Sequence, residues 1–398
     1  MDMSKLNKQH INSYMNSISP RMKEIARQIG ERPELGNQEF FASQLLIDEL
    51  TTAGFSITRN VLDLPTAFIA EYQSTKSGPT IAYLCEYDAL PGLGHACGHH
   101  LICTMSMAAA IGLKSVIDSI GGTIRVYGTP AEETSGAKVP MAAAGLFDDV
   151  DIALMAHPYS RYEASGNSLA MDAIQYDFTG KSAHAAASPH EGINALDAVL
   201  MLFNAVNALR QQIRSDSRIH GIITDGGKAP NIIPDFASAQ FYIRSADRSY
   251  TNELTCRVLA CAEGAAKQTG CTLSVTSYEY SYDELRTNEA LSAVFNQNLI
   301  ELGVAKHAIE HGKDNGSVDL GNVSLRCPAI HPYVKVIDEN YQLHTTQFRD
   351  LAMTDRAMEL MLIGAQALAG TGYDVCNNTR LKADIRDEFQ LLLKSQKL

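Results

Sequence analysis

Apolar residues at Ile18, Met22, Ile25, Ala26 and Ile29 recur at helical spacing, and the pattern predicts a helix from Ile18 to about Gly30. A second helix is predicted over FFASQLLIDELTTAG, where Gly54 stops it. The character then changes to short apolar runs, TAFIAEY, TIAYLCEY, TIRVYGTP and DIALMAHP, separated by helical stretches such as LICTMSMAAAIGLKSVIDSI. Strands alternating with helices predict an α/β unit with a mixed, mostly parallel sheet and flanking helices. From Ser168 to Leu285 the order becomes strand, helix, two strands, helix, strand, which is the ferredoxin-like α+β arrangement. After Leu285 come the helix NEALSAVFNQNLIELG, a loop-rich stretch DNGSVDLGNVSLRCPAIHPY, and one long apolar helix over RDLAMTDRAMELMLIGAQALAG. The expected organisation is a catalytic domain in two parts, 1–167 and 286–398, with a ferredoxin-like domain, 168–285, inserted between them.

Composition narrows the function classes. At 398 residues the chain exceeds what one core usually supports, and 45% hydrophobic content is ordinary for a globular protein. Lys plus Arg total 33 against 45 for Asp plus Glu, a net charge of −12, with no basic run, so nucleic acid and anionic membrane are poor partners. No segment is expected to approach the roughly 20 apolar residues of a membrane span, and the polar N-terminal stretch has no signal-peptide core. The eight cysteines are scattered without the regular spacing of a disulfide scaffold and are expected to be reduced, which predicts a cytoplasmic protein.

Chemistry-bearing residues fall just after the strand-like runs, where open α/β sheets place their ligand sites. Gly94-His-Ala-Cys-Gly-His-His100 sets Cys97 and His99 two residues apart in a glycine-flanked loop, and both side-chain types suit zinc. A lone C-x-H is also met as a buried cysteine beside a structural histidine. Gly128-Thr-Pro-Ala-Glu-Glu-Thr134 offers two adjacent carboxylates, Glu132 and Glu133, at a strand end, so that one can ligate a metal while the other faces the bound water and handles its proton; a solvated acidic turn is the plain and commoner alternative. His157 closes the strand DIALMA and His344 lies far downstream in Leu-His-Thr; either alone is more often structural than catalytic.

Taken together, GHACGH, PAEE, the AHP histidine, GKSAHAA, NIIP and the late LHT histidine resemble, in order and over nearly the whole chain, a metallopeptidase family. That family contains aminoacylases, glutamate carboxypeptidases, plant auxin-conjugate hydrolases and p-aminobenzoyl-glutamate hydrolase subunits. The run EYDALPGLGHACGH is similar to the branch with p-aminobenzoyl-glutamate hydrolase and a dipeptidase acting on β-alanyl-lysine-type peptides. The resemblance implies a zinc-peptidase-like catalytic domain and two divalent metal ions, zinc foremost, with manganese or cobalt as alternatives. Cys97 would bridge the ions, His99 and His157 would complete one site, and Glu133 and His344 the other. Glu132 would act as general base and then acid, and Asp88 would orient the first-site histidine. His184 of Gly180-Lys-Ser-Ala-His would stabilise the oxyanion in a neighbouring subunit's site, and Asn231 with Arg244 would bind the substrate carboxylate. One departure is His100, where relatives commonly carry Asp or Asn; it stands as an alternative ligand beside His99, and His95 is assigned to loop structure.

The implied activity is hydrolysis of the amide bond of a small N-acyl amino acid or dipeptide by a homodimer assembled through the inserted domain. Two other readings stand beside it: a cysteine hydrolase with Cys97 as nucleophile, and a non-catalytic binding protein on a hydrolase scaffold.

Overall fold

In the computed structural model, which describes residues 3–313 and 316–395, the helical stripe begins earlier than the sequence pattern suggests. Helix α1 spans Met3–Glu31 and accommodates Pro20 in its interior, because Ile11 and Met15 continue the buried stripe of Met22, Ile25 and Ile29. There follow α2 (Phe40–Thr52), β1 (Ser56–Arg59), β2 (Phe68–Gln73), β3 (Thr80–Cys85), α3 (His99–Ile120), β4 (Thr123–Gly128), α4 (Lys138–Ala143), β5 (Ile152–Leu154), β6 (His157–Tyr159) and β7 (Tyr162–Glu163). The next segment holds β8 (Ala170–Thr179), α5 (Ala195–Leu209), β9 (Arg218–Asp225), β10 (Phe236–Ser245), α6 (Arg248–Thr269) and β11 (Thr272–Ser277). The chain ends with α7 (Glu289–Glu301), β12 (Ile309–Glu310), α8 (Leu320–Ser324), β13 (Ala329–Ile330), β14 (Tyr333–Lys335), α9 (Thr346–Ala352), α10 (Asp355–Asn377) and α11 (Thr379–Ser395).

The described residues form two units. One comprises those up to Asn167, those from Leu285 to Lys313 and those from Asp319 onward; the other is Ser168–Glu284 with Gly316–Val318. Asp314 and Asn315, which open the predicted loop-rich stretch, lie outside the described residues.

The first unit is built on a mixed sheet in the order β1-β2-β4-β3-β5-β13, in which β4, β3, β5 and β13 run parallel while β1 and β2 are antiparallel additions. β3 is buried along almost its whole length, as a strand covered by helices must be, and it therefore reads as an unbroken apolar run. A smaller sheet, β12-β7-β14-β6, carries His157 at the start of β6. α3 corrects one sequence expectation. Its 22 residues include an 18-residue window of mean hydropathy 1.5, long and apolar enough to cross a membrane, yet 89% of that window is buried inside the unit. α1, α10, β3 and β4, with smaller contributions from α2 and β6, pack around it, so most of its surface is apolar. Fully buried Leu101, Ile102, Met105 and Leu113 each contribute about 1.5–3 kcal/mol of burial. The single helix predicted from Arg349 to Gly370 is instead two, because the Thr354 side chain accepts the Ala357 N–H and starts α10 afresh.

The second unit has strand order β11-β8-β10-β9, antiparallel throughout, with α5 and α6 packed on the sheet. Its core is formed by Tyr176, Phe178, Leu202, Phe241, Ile243, Leu254 and Val258. Both helices start at a side-chain cap, Asn194 accepting from Leu196 N–H and Asp247 from Tyr250 N–H.

Candidate metal centre

Four separate segments deliver the site, and three of them carry a residue at positive φ beside it. After β3 the chain runs through Glu86-Tyr87-Asp88 into a loop that ends at Gly98, whose φ of +83° suits only a residue without a side chain. A Cβ there would also lie 2.6 Å from the Pro158 ring, so the glycine lets the Cys97 loop close onto the strand that bears His157. His99 and His100 are the first two residues of α3 and therefore point to different sides of it. After β4, Ala131 adopts a φ of +62° immediately before Glu132 and Glu133. His344 has a φ of +61°, and its N–H donates to Ala96 O at 2.9 Å, tying the last segment to the cysteine loop. Non-glycine residues in this conformation cost of order 1–3 kcal/mol, and such strain gathers where side chains must be aimed.

The side chains converge. Cys97 Sγ is 3.4 Å from His157 Nε2, and His344 Nε2 is 3.2 Å from Glu133 Oε1. His99 Nε2 lies 3.7 Å from Glu133 Oε1 and 3.9 Å from Glu132 Oε2. The ligand atoms of Cys97, His99 and His157 lie within 4.8 Å of one another, as do those of Cys97, Glu133 and His344. His157 Nδ1 donates to Pro158 O at 2.8 Å and His99 Nδ1 to Asp88 Oδ1 at 2.9 Å, so each ring turns the lone pair of Nε2 toward the cluster. His99 Nε2 and Glu133 Oε1 are buried without a well-formed hydrogen bond. A buried imidazole nitrogen and a carboxylate oxygen gathered with a thiol and a second imidazole fit a divalent metal pair.

The electrostatics agree with that fit. Burial first, then the Glu86 and Glu133 carboxylates, push Glu132 well above the usual carboxylate range, which suits a group that must hold a proton for part of a cycle. Burial takes His157 down to about 3, leaving the neutral imidazole that binds metal. Burial and then Glu133 raise the Cys97 thiol, making it a poor nucleophile unless a cation draws off its proton.

Other predicted residues sit elsewhere. His100 Nε2 is 3.2 Å from Ala352 O and its ring packs 5.1 Å from that of His95, so neither histidine joins the cluster. His184, Asn231 and Arg244 belong to the second unit. His184 is exposed, and its Nδ1 accepts from the N–H groups of Ala186 and Ala187, which puts the ring proton on Nε2. Ala185 N–H donates to Asn231 O at 3.0 Å, which sets Asn231 beside the His184 turn. Arg244 is on β10, over the Tyr242 ring, with one guanidinium nitrogen donating to Ser317 and Nε unpartnered.

A group missed from the sequence adjoins the cluster. Lys138, fully buried, places Nζ 2.6 Å from Glu86 Oε1 and 2.7 Å from Asp319 Oδ1, and the other Glu86 oxygen is 3.7 Å from His99 Nε2. Glu86 carried a signal, since it leaves the same strand end as Asp88. Lys138 carried none, because a lysine at the start of a short apolar helix normally faces solvent.

A mostly parallel sheet with cysteine, histidine and paired glutamates at its strand ends, plus a ferredoxin-like unit, defines a hydrolase of metallopeptidase type. Residues 169–269 match the peptidase dimerisation domain of the M20 family. The chain is 36% identical to mouse Xaa-Arg dipeptidase, over 96% of this chain and 92% of that protein. It is 32% identical to a p-aminobenzoyl-glutamate hydrolase polypeptide from Escherichia coli, over 94% of this chain and 93% of that one. The fold is shared with the aminobenzoyl-glutamate utilization protein of Klebsiella pneumoniae at a TM-score of 0.70, with 19% identity and coverage of 92% and 98%. It is also shared with a dinuclear metal binding peptidase of the M20 family from Bacillus subtilis at 0.64, with 19% identity and coverage of 90% and 99%. The chain belongs to the M20 peptidase family, and it is an enzyme of amide-bond hydrolysis.

Proposed function

We propose that this enzyme hydrolyses the amide bond of a small dipeptide or N-acyl amino acid, with two divalent ions held by Cys97, His99, His157, Glu133 and His344. The observation that carries this reading is the convergence of those five side chains on two overlapping ligand groups that share Cys97, with Glu132 beside them. Such ions, when bound, polarise the scissile carbonyl and lower the pKa of water. Glu132 takes the proton of the attacking water and returns it to the leaving amine. Asp88 fixes His99, and the burial of Glu132 keeps its proton affinity high. His184 offers its Nε2–H to the oxyanion developing in a neighbouring subunit's site, and Asn231 and Arg244 take the substrate carboxylate; the unpartnered Nε of Arg244 supports that role. The match to a dimerisation domain, and the exposed Ile222 and Ile223 on edge strand β9, support a homodimer through the inserted unit. All eight cysteines are unpaired, which fits the reducing cytoplasm. The related dipeptidase and p-aminobenzoyl-glutamate hydrolase bracket the substrates to try.

Purified protein supplied in turn with zinc, manganese and cobalt should cleave at least one of alanyl-arginine, β-alanyl-lysine, p-aminobenzoyl-glutamate and a set of N-acetyl amino acids. Chelation should abolish the activity. The 3.4 Å contact of Cys97 with His157 also suits a cysteine hydrolase. Activity that survives complete metal removal but not thiol alkylation would establish that reading instead, and no cleavage across the panel would overturn the proposed substrate class.

A further inference from the structure

The loop Glu34-Leu35-Gly36-Asn37-Gln38-Glu39 has no part in the roles assigned above, yet it is fastened to the turn that carries Glu132 and Glu133. Asn37 Nδ2 donates to Ser135 Oγ at 3.0 Å. Gly36 lies so close that a Cβ there would come 2.8 Å from the Cβ of Ala131, an approach that only glycine permits. Glu34 closes the near side of the loop by accepting from the N–H groups of Phe41 and Ala42, each at 3.0 Å.

Glu39 is the unusual member. It stands at the N-cap position of α2 but makes no side-chain cap, and it is completely buried. A buried carboxylate is costly unless its oxygens are hydrogen-bonded. Here Oε1 accepts the Ala131 N–H at 2.9 Å and Oε2 accepts the Thr66 hydroxyl at 2.8 Å, itself buried. The group therefore reaches beyond its own helix to one backbone N–H in the neighbouring turn. That N–H belongs to the alanine held at positive φ directly before Glu132. An alanine leaves this conformation readily unless something outside it fixes the peptide.

We infer that Glu39 is a positioning residue: by holding the Ala131 N–H it fixes the left-handed turn that aims Glu132. The inference rests on the assignment of Glu132 as proton carrier.

The test uses the metal-loaded full chain, with kcat, KM, metal content and melting temperature measured for each variant on alanyl-arginine, or on p-aminobenzoyl-glutamate if that is the substrate cleaved. Glu39→Ala should lower kcat by about 10²-fold, the scale of a small misplacement of a reacting group, with KM and metal content close to wild type. Glu39→Gln keeps an acceptor for the Ala131 N–H and should stay within about threefold of wild type in kcat, on the same scale. Adding Ala131→Gly to Glu39→Ala should restore part of kcat, because glycine adopts positive φ without help. A merely structural role is not rescued in this way. Should Glu39→Ala fail to fold, Thr66→Val, which strips one donor from Glu39, replaces it in the same comparison. Full kcat in Glu39→Ala, a loss explained wholly by lost metal, or no rescue by Ala131→Gly would each overturn the inference. Glu132→Gln on the same substrate separates the two assignments. If it is inactive while Glu39→Ala is unimpaired, only the Glu39 inference falls; if it is active, the proton-carrier assignment falls and this one with it.

Discussion

Asp88 restrains Glu133 through one carboxylate oxygen, accepting its backbone N–H at 2.9 Å, while the other oxygen holds His99 Nδ1. One buried side chain thus sets the orientation of a residue from each proposed metal position.

An asparagine at 88 has a single acceptor oxygen for two donors, so one of them is left facing an amide NH2 group. Asp88→Asn should weaken metal binding by about 10–100-fold, the usual cost of losing such a partner. Competition with a chromophoric chelator measures it, and an unchanged affinity would show that Asp88 is not needed to set these groups.

Glu132→Gln keeps the shape of the side chain and removes its capacity to carry a proton. We expect kcat to fall by about 10²–10⁴-fold while the metal content stays that of wild type. Steady-state rates with elemental analysis of the same preparation decide it; a rate within a few-fold of wild type would refute the assigned role.

Removing Lys138 leaves Glu86 and Asp319 facing each other across a site that water does not reach. Lys138→Met should destabilise the protein by about 3–5 kcal/mol, as breaking buried ion pairs does, and Asp319→Asn added to it should recover part of the loss. Urea unfolding of the two variants against wild type reads the difference. A Lys138→Met protein as stable as wild type would contradict the ion cluster.

Burial, opposed only in part by hydrogen bonds from its own backbone N–H, from Thr66 and from Ala131, pushes the Glu39 carboxyl from 4.5 up to about 7. Between those values the native protein binds more protons than the unfolded chain, so the contribution of Glu39 to stability is greatest below pH 4.5 and declines as pH rises to about 7. Glu39→Gln cannot ionise. Relative to that variant, wild type should lose up to about 3 kcal/mol over this window. Unfolding curves taken across the range check it, and parallel pH profiles for the two proteins would show that Glu39 titrates normally.

Much of the site was legible because parallel strands bring the loops at their ends together. Cys97, His99, Glu133 and His157 follow successive apolar runs, and the runs themselves are visible in the pattern of the chain. The ferredoxin-like order was legible for the same reason: its strands and helices are short, periodic and bounded by turn residues. Local periodicity says less where burial is decided from several sides. α3 is apolar over most of its surface because helices and strands cover it from several sides, and the composition alone does not tell that from a membrane span.

The sequence by itself determined which residue types stand at the strand ends, because a strand and its following turn are written in neighbouring positions. Only the tertiary structure decided which imidazole of His99 and His100 faces the cluster, since that depends on where α3 begins and what packs beside it. It alone joined Lys138 to Glu86 and Asp319, and Glu39 to Ala131. Those pairings join segments distant in sequence, and a charge is stable inside a protein only where another segment supplies its partner.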